Sequence, residues 1–159
     1  MGSPPLAPAP AHIVGPTWQR LESGGFYLPE FTLGDEIVNW MWKYVVQPSG
    51  PRAGENFLVT EEQYRFLCWW YAVDGMGKFI YRNGLLRRLK GWGKDPLAAA
   101  MSLAELCGPV QFSHWDEKTG RPMGKPKASA WIQIAAVSQD QTRNTFTLFP
   151  AMASKTMRE

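Results

Sequence analysis

Between Leu85 and Leu106 the chain runs through a short apolar stretch, a turn containing Gly91 and Gly93, and a run rich in Ala, Leu and Met. An extended segment can pass into a helix over so few residues only through a tight turn, and glycine supplies the positive φ such turns need. Strand, glycine loop and helix are therefore expected in that order, with Gly108 and Pro109 closing the helix. Short apolar stretches at Phe79 to Tyr81, Val110 to Trp115 and Ala130 to Val137 read as further strands. The fold class expected is α/β, with a mainly parallel sheet built around the loop strand and helices on its faces.

Three more helices flank that unit. Asp35 to Val46 opens on an acidic capping candidate and places Ile37, Val38, Trp40, Met41, Tyr44 and Val45 at helical spacing. In Thr60 to Val73, Thr60 and Gln63 form a capping box and Tyr64, Leu67, Cys68 and Tyr71 recur at three and four. Ser138 can cap a last helix that Pro150 would bend or end. Ahead of them, residues 1–16 hold five prolines among Ala and Gly and read as a flexible arm. Residues 17–59 form an irregular and helical region, and 60–159 the α/β portion.

Hydrophobic residues make up 45% of the chain and aromatics 13%, which excludes a disordered polymer. A net charge of +3 is too mild for a nucleic-acid coat. The basic residues cluster instead, with Arg82, Arg87, Arg88, Lys90 and Lys94 falling in one stretch without an acid. Cys68 and Cys107 lack metal-ligand spacing and read as two buried thiols. No apolar run is long enough to span a membrane and no signal-peptide plan is visible, so a soluble cytoplasmic protein is expected.

The run Arg87 to Pro96 compares with the phosphate-loop pattern G-x-x-x-x-G-K-[ST]. It matches at Gly93 and Lys94 and departs at Arg88, in the first glycine position, and at Asp95, in the Ser/Thr position. Gly91 and Gly93 let the backbone approach phosphate oxygens, Lys94 supplies charge, and the following helix turns its free N–H groups toward the same anion. A carboxylate beside phosphates needs an intervening cation. Asp95 is thus either a Mg²⁺ ligand or a residue that simply caps the helix. The bland alternative for the loop is a strand-to-helix turn whose basic residues face water.

Taken together, Thr60 to Thr145 resembles the N-terminal ATPase region of the large terminase subunits that package phage DNA. The resemblance rests on the basic residue at Arg88, the K-G-x-G-K run from Lys90 to Lys94, the Gln63 segment upstream, and the strand and glutamine-rich helix start from Ile134 to Asn144. It implies a P-loop NTPase-like fold. It also implies ATP and Mg²⁺ as cofactors, phosphate contacts from Lys90, Gly91, Trp92, Gly93 and Lys94, an adenine contact from Gln63, and Arg88 as a transition-state arginine. Against these stand Gln63 as a capping residue only and Arg88 as an exposed strand residue. Double-stranded DNA, a portal protein and a small terminase subunit are the implied partners, in the cytoplasm of a bacterial host.

Such an ATPase also needs an apolar strand ending in Asp-Glu. Asp116-Glu117 follows an interrupted strand, and Asp35-Glu36 opens a helix, so neither fits. The chain is accordingly expected to be an incomplete ATPase domain without its Walker B and nuclease parts, which binds nucleotide and hydrolyses it weakly. Two other readings remain, a non-catalytic interaction module and a small basic DNA-binding protein whose affinity falls with salt and ignores ATP.

Overall fold

A computed structural model describes residues 15–158. The expected arm therefore lies almost wholly outside the described residues. Pro16 begins a single 3₁₀ turn, Pro16–Trp18, after which the chain runs irregularly to the first helix.

Helix α1, Gly34–Tyr44, starts on Asp35 and Glu36 and ends on Lys43, so its charges suit the helix dipole at both ends. Ile37 and Met41, one turn apart, are fully buried with Leu33 and Val45. Gly34 is needed for this packing, because a Cβ there would lie 2.7 Å from the Cα of Cys68. Helix α2, Glu61–Trp70, carries the expected capping box: Thr60 Oγ1 accepts from the Gln63 N–H at 3.2 Å, and Gln63 Oε1 accepts from the Thr60 N–H at 2.9 Å. Thr32 Oγ1 donates to the Cys68 carbonyl at 2.6 Å and fastens the entry of α1 to α2.

Helix α3, Lys94–Cys107, buries Leu97, Ala99, Ala100, Leu103 and Ala104. The alanines on that stripe allow α4, Gln139–Met152, to pack closely along it. Pro150 lies inside α4, which continues past it. The chain then returns to the end of α1, with the Val46 N–H donating to the Met152 carbonyl at 2.8 Å and Ser154 N–H to Tyr44 at 3.0 Å. A short α5, Lys155–Arg158, follows. The buried residues of α1, α2, α3 and the end of α4 form one hydrophobic cluster.

The architecture is mixed α/β, but the expected mainly parallel sheet is not formed. The sheet among the described residues has two antiparallel strands, β1, Gln111–Trp115, and β2, Pro122–Lys125. Their turn is the one the Lys118–Gly120 stretch suggests. Asp116 Oδ1 accepts from the Thr119 hydroxyl at 2.7 Å and from the N–H groups of Thr119 and Lys118 at 2.7 and 3.1 Å, and these bonds, the hydroxyl's first, hold its carboxyl below the usual carboxylate range. The expected strands at 79–81, 85–89 and 130–137 form no ladder beyond an isolated bridge from Phe79 to Val73. Apolar residues between turn signals make a backbone extended; a strand also needs a hydrogen-bonding neighbour, which local sequence does not specify.

Candidate anion-binding site

The loop that opens α3 is built on its glycines. Gly91 and Gly93 have φ of 86° and 91°, and no residue other than glycine has positive φ among the described residues. These two left-handed positions turn the chain back from the exposed 83–89 segment into the helix. Lys90 and Gly91 form a turn, and after it the backbone N–H groups of Gly93, Lys94 and Asp95, with that of Gly91, make no backbone hydrogen bond among the described residues. Successive free N–H groups in such a turn form a concave nest for an anion. The start of α3 adds its positive dipole end.

Lys94 is the first residue of α3, and its ammonium folds back to donate to the Arg88 and Leu89 carbonyls at 2.9 and 2.8 Å. These carbonyls offset the unfavourable charge at the helix start, so the position of Lys94 does not in itself demand an anion. They also close the loop into a ring. An ammonium has three donors, and the third has no acceptor among the described residues.

The other predicted residues divide around Glu62 on α2. Arg88 pairs with Glu62 Oε1 through Nε at 2.5 Å and through Nη2, and its guanidinium lies 5.0 Å from the Trp18 ring and 5.7 Å from that of Trp92. Trp92 Nε1 donates to Glu62 Oε2 at 3.1 Å. One carboxylate thus holds both the arginine and the tryptophan of the loop. Gln63 is buried, with its amide oxygen in the capping box and its nitrogen directed to the Trp92 carbonyl at 3.4 Å. Both ends of its amide are engaged within the protein, tying the loop to α2. Lys90 and Asp95 are exposed on either side of the loop. Asp95 lies in the first turn of α3, and no cluster of three or more metal-ligating side chains occurs among the described residues.

Beside the loop is a cavity of about 230 Å³ lined by Trp18, Phe66, Trp70, Asn83, Arg88 and Trp92. Sequence reasoning missed Trp18 and Glu62 as neighbours of the loop, because neither stands at a motif spacing from it. Three of the four acids considered for catalysis serve structure, and the fourth, Glu117, is exposed. Asp35 accepts from the Tyr64 hydroxyl, Glu36 Oε2 accepts from the Gly124 N–H at 2.6 Å, and Asp116 caps its turn. Burial and the Asp35 bond push the Tyr64 hydroxyl up, and burial raises the Cys68 thiol to about 12. Cys68 is buried as expected, whereas Cys107, at the end of α3, is exposed.

Two curated proteins match almost the whole chain. The gene 13 protein of Mycobacterium phage L5 is 54% identical over 173 aligned positions, covering 98% of this chain. The chain is similar to part of a mycobacteriophage protein. It spans 29% of the length of that relative, and 29% of the gene 13 protein of phage D29, which is 52% identical. These relatives correct the terminase resemblance: neither bears a terminase name, and the partners that resemblance implied have no other support. No protein-family profile matches the chain, and no solved structure does. No helix among the described residues is long and apolar enough to cross a membrane.

Proposed function

We propose that the loop from Lys90 to Lys94 binds the phosphate groups of a nucleotide, with ATP and Mg²⁺ as the natural pair. The supporting observation is the set of backbone N–H groups at Gly91, Gly93, Lys94 and Asp95 that make no backbone hydrogen bond among the described residues, set by two left-handed glycines, with the Lys94 ammonium folded over the same turn. Asp95 is exposed in the first turn of α3, and its carboxylate would meet a cation carried by the phosphates. Arg88 is engaged with Glu62 and does not face the loop's free donors as an unpaired charge. Asp35, Glu36 and Asp116 are committed to Tyr64, Gly124 and the hairpin turn, and Glu117 is exposed beside that turn rather than at the end of an apolar strand. Binding with weak or no hydrolysis is therefore the activity proposed for this stretch, in the bacterial host of a phage.

The reading concerns the loop rather than a complete nucleotide-binding fold, since the two-stranded sheet does not include the segment that feeds the loop. Its test is a titration with a fluorescent ATP analogue, with and without Mg²⁺, on the native chain and on Lys94→Ala. A charge-assisted hydrogen bond is worth about 1.5–3 kcal/mol, so the variant should bind roughly 10- to 100-fold more weakly. Equal binding by both proteins would remove the phosphate role. Binding to DNA that weakens steeply with salt and ignores ATP would instead favour a basic nucleic-acid surface using the exposed Arg82, Arg87 and Lys90.

A further inference from the structure

The cavity beside the loop is walled by rings that the fold has already assembled. Six of its lining residues are aromatic, Trp18, Phe66, Trp69, Trp70, Tyr81 and Trp92. Phe66 and Trp70, one turn apart on α2, stack with their centroids 5.9 Å apart, and Tyr81 meets Trp69 edge-on at 6.2 Å. Gly84 lies against the Trp70 indole so closely that a Cβ there would collide with it. That contact sets its neighbour Asn83 at the cavity as an exposed lining residue. Rings held against one another before a ligand arrives need little reordering to receive a further flat ring.

Size and polarity narrow the occupant. At about 230 Å³ the cavity is smaller than the roughly 300–1,000 Å³ of sites for drug-sized ligands, which suits a single flat ring system. Arg88 is paired with Glu62 and Arg87 is solvent-exposed, so no net negative charge draws in a quaternary ammonium ion, while six rings favour an uncharged planar group. The indole N–H groups of Trp69 and Trp92 are engaged by the Tyr27 carbonyl and Glu62. Gln63 is engaged at both ends of its amide. The Asn83 amide, in contrast, makes no hydrogen bond among the described residues. It offers a donor and an acceptor side by side, the pair that reads the edge of a purine. We infer that this cavity holds the purine base of the nucleotide whose phosphates lie on the loop, stacked among the rings with the Asn83 amide on its edge. The inference rests on the phosphate-binding reading of the loop. Trp92 joins the two parts, since it lines the cavity and stands between the left-handed Gly91 and Gly93.

Two ligands separate the parts: adenosine, which carries no phosphate, and tripolyphosphate, which carries no base. Adenosine should bind the 159-residue chain and change its tryptophan emission, because the base would lie against indole rings. Trp18→Leu should weaken adenosine by roughly 5- to 100-fold through the loss of one stacking surface. Trp18 stands outside the main hydrophobic cluster, so this variant should keep its fold, which thermal unfolding checks. Asn83→Ala, at an exposed position, should weaken adenosine by about 2- to 10-fold and leave tripolyphosphate binding unchanged. No response to adenosine, or equal adenosine binding by the native chain and both variants, would overturn the inference and leave the loop reading intact. Adenosine binding that both variants weaken, with no response to tripolyphosphate, would support the base site and remove the loop's phosphate role.

Discussion

Glu62→Gln should weaken the fold slightly while strengthening anion binding at the loop, two effects of opposite sign from one residue. Glu62 joins Arg88 through one oxygen and the Trp92 indole through the other. The pair is partly shielded, with the side chains of Arg88 and Glu62 18% and 28% exposed. A glutamine keeps an acceptor for Trp92 and loses the charge. The stability loss should be about 0.5–1 kcal/mol, above the median of a fully exposed pair, and should lower the melting midpoint by roughly 1–4 °C. Binding moves the other way, because removing one negative charge leaves Arg88 uncompensated next to the loop. A unit charge within about 8 Å of a phosphate is worth on the order of 0.5–2 kcal/mol for effective dielectric constants from ~80 down to ~20. Pyrophosphate or ATP should accordingly bind about 2- to 30-fold more tightly at low ionic strength, with a smaller gain at about 0.15 M salt. Urea melts and calorimetric titration of both proteins provide the two readouts. If the variant bound these anions no better than the native chain at low salt, the assignment of Glu62 as a restraint on Arg88 beside an anion site would be refuted.

Further outcomes follow from the packing. Gly93→Ala puts a side chain at φ 91° and should cost about 1–2 kcal/mol in urea melts while weakening phosphate binding; an unchanged midpoint would show that the loop relaxes freely. Gly34→Ala drives a Cβ to 2.7 Å from the Cα of Cys68 and should destabilise by about 1–3 kcal/mol without altering the loop, checked by thermal unfolding alongside nucleotide titration. Cys107 should take up an alkylating reagent at pH 8 well before the buried Cys68, read by mass spectrometry, and equal rates would contradict the packing of α2. The Cys68 thiol is raised on folding, so the folded state holds its proton where the unfolded chain releases it. Its contribution is complete below about 9 and is lost as pH rises toward about 12, and melts across that range should show stability falling.

Features written in neighbouring residues are legible in the sequence alone. The capping box of Thr60 and Gln63, the turn from Asp116 to Gly120, and the left-handed glycines at 91 and 93 all depend on bonds or backbone angles within about four residues. The helices are legible for the same reason, since Ile37 with Met41 and Leu97 with Ala100 and Ala104 repeat at the helical period. Pro150 misleads slightly, because packing against α3 holds α4 together past it.

The rest depends on partners far apart in the chain. Arg88 meets Glu62 across 26 residues, Gln63 reaches the Trp92 carbonyl across 29, and Trp92 reaches Glu62 across 30. Residue types and spacings determine that a basic glycine loop opens a helix. They do not say that its arginine is held by α2, or that the glutamine upstream is used up in the fold. The strands show the same division. Alternation specifies an extended backbone with two faces, but a ladder requires a second backbone at about 4.8 Å, and that neighbour is chosen by the packing of the whole polypeptide.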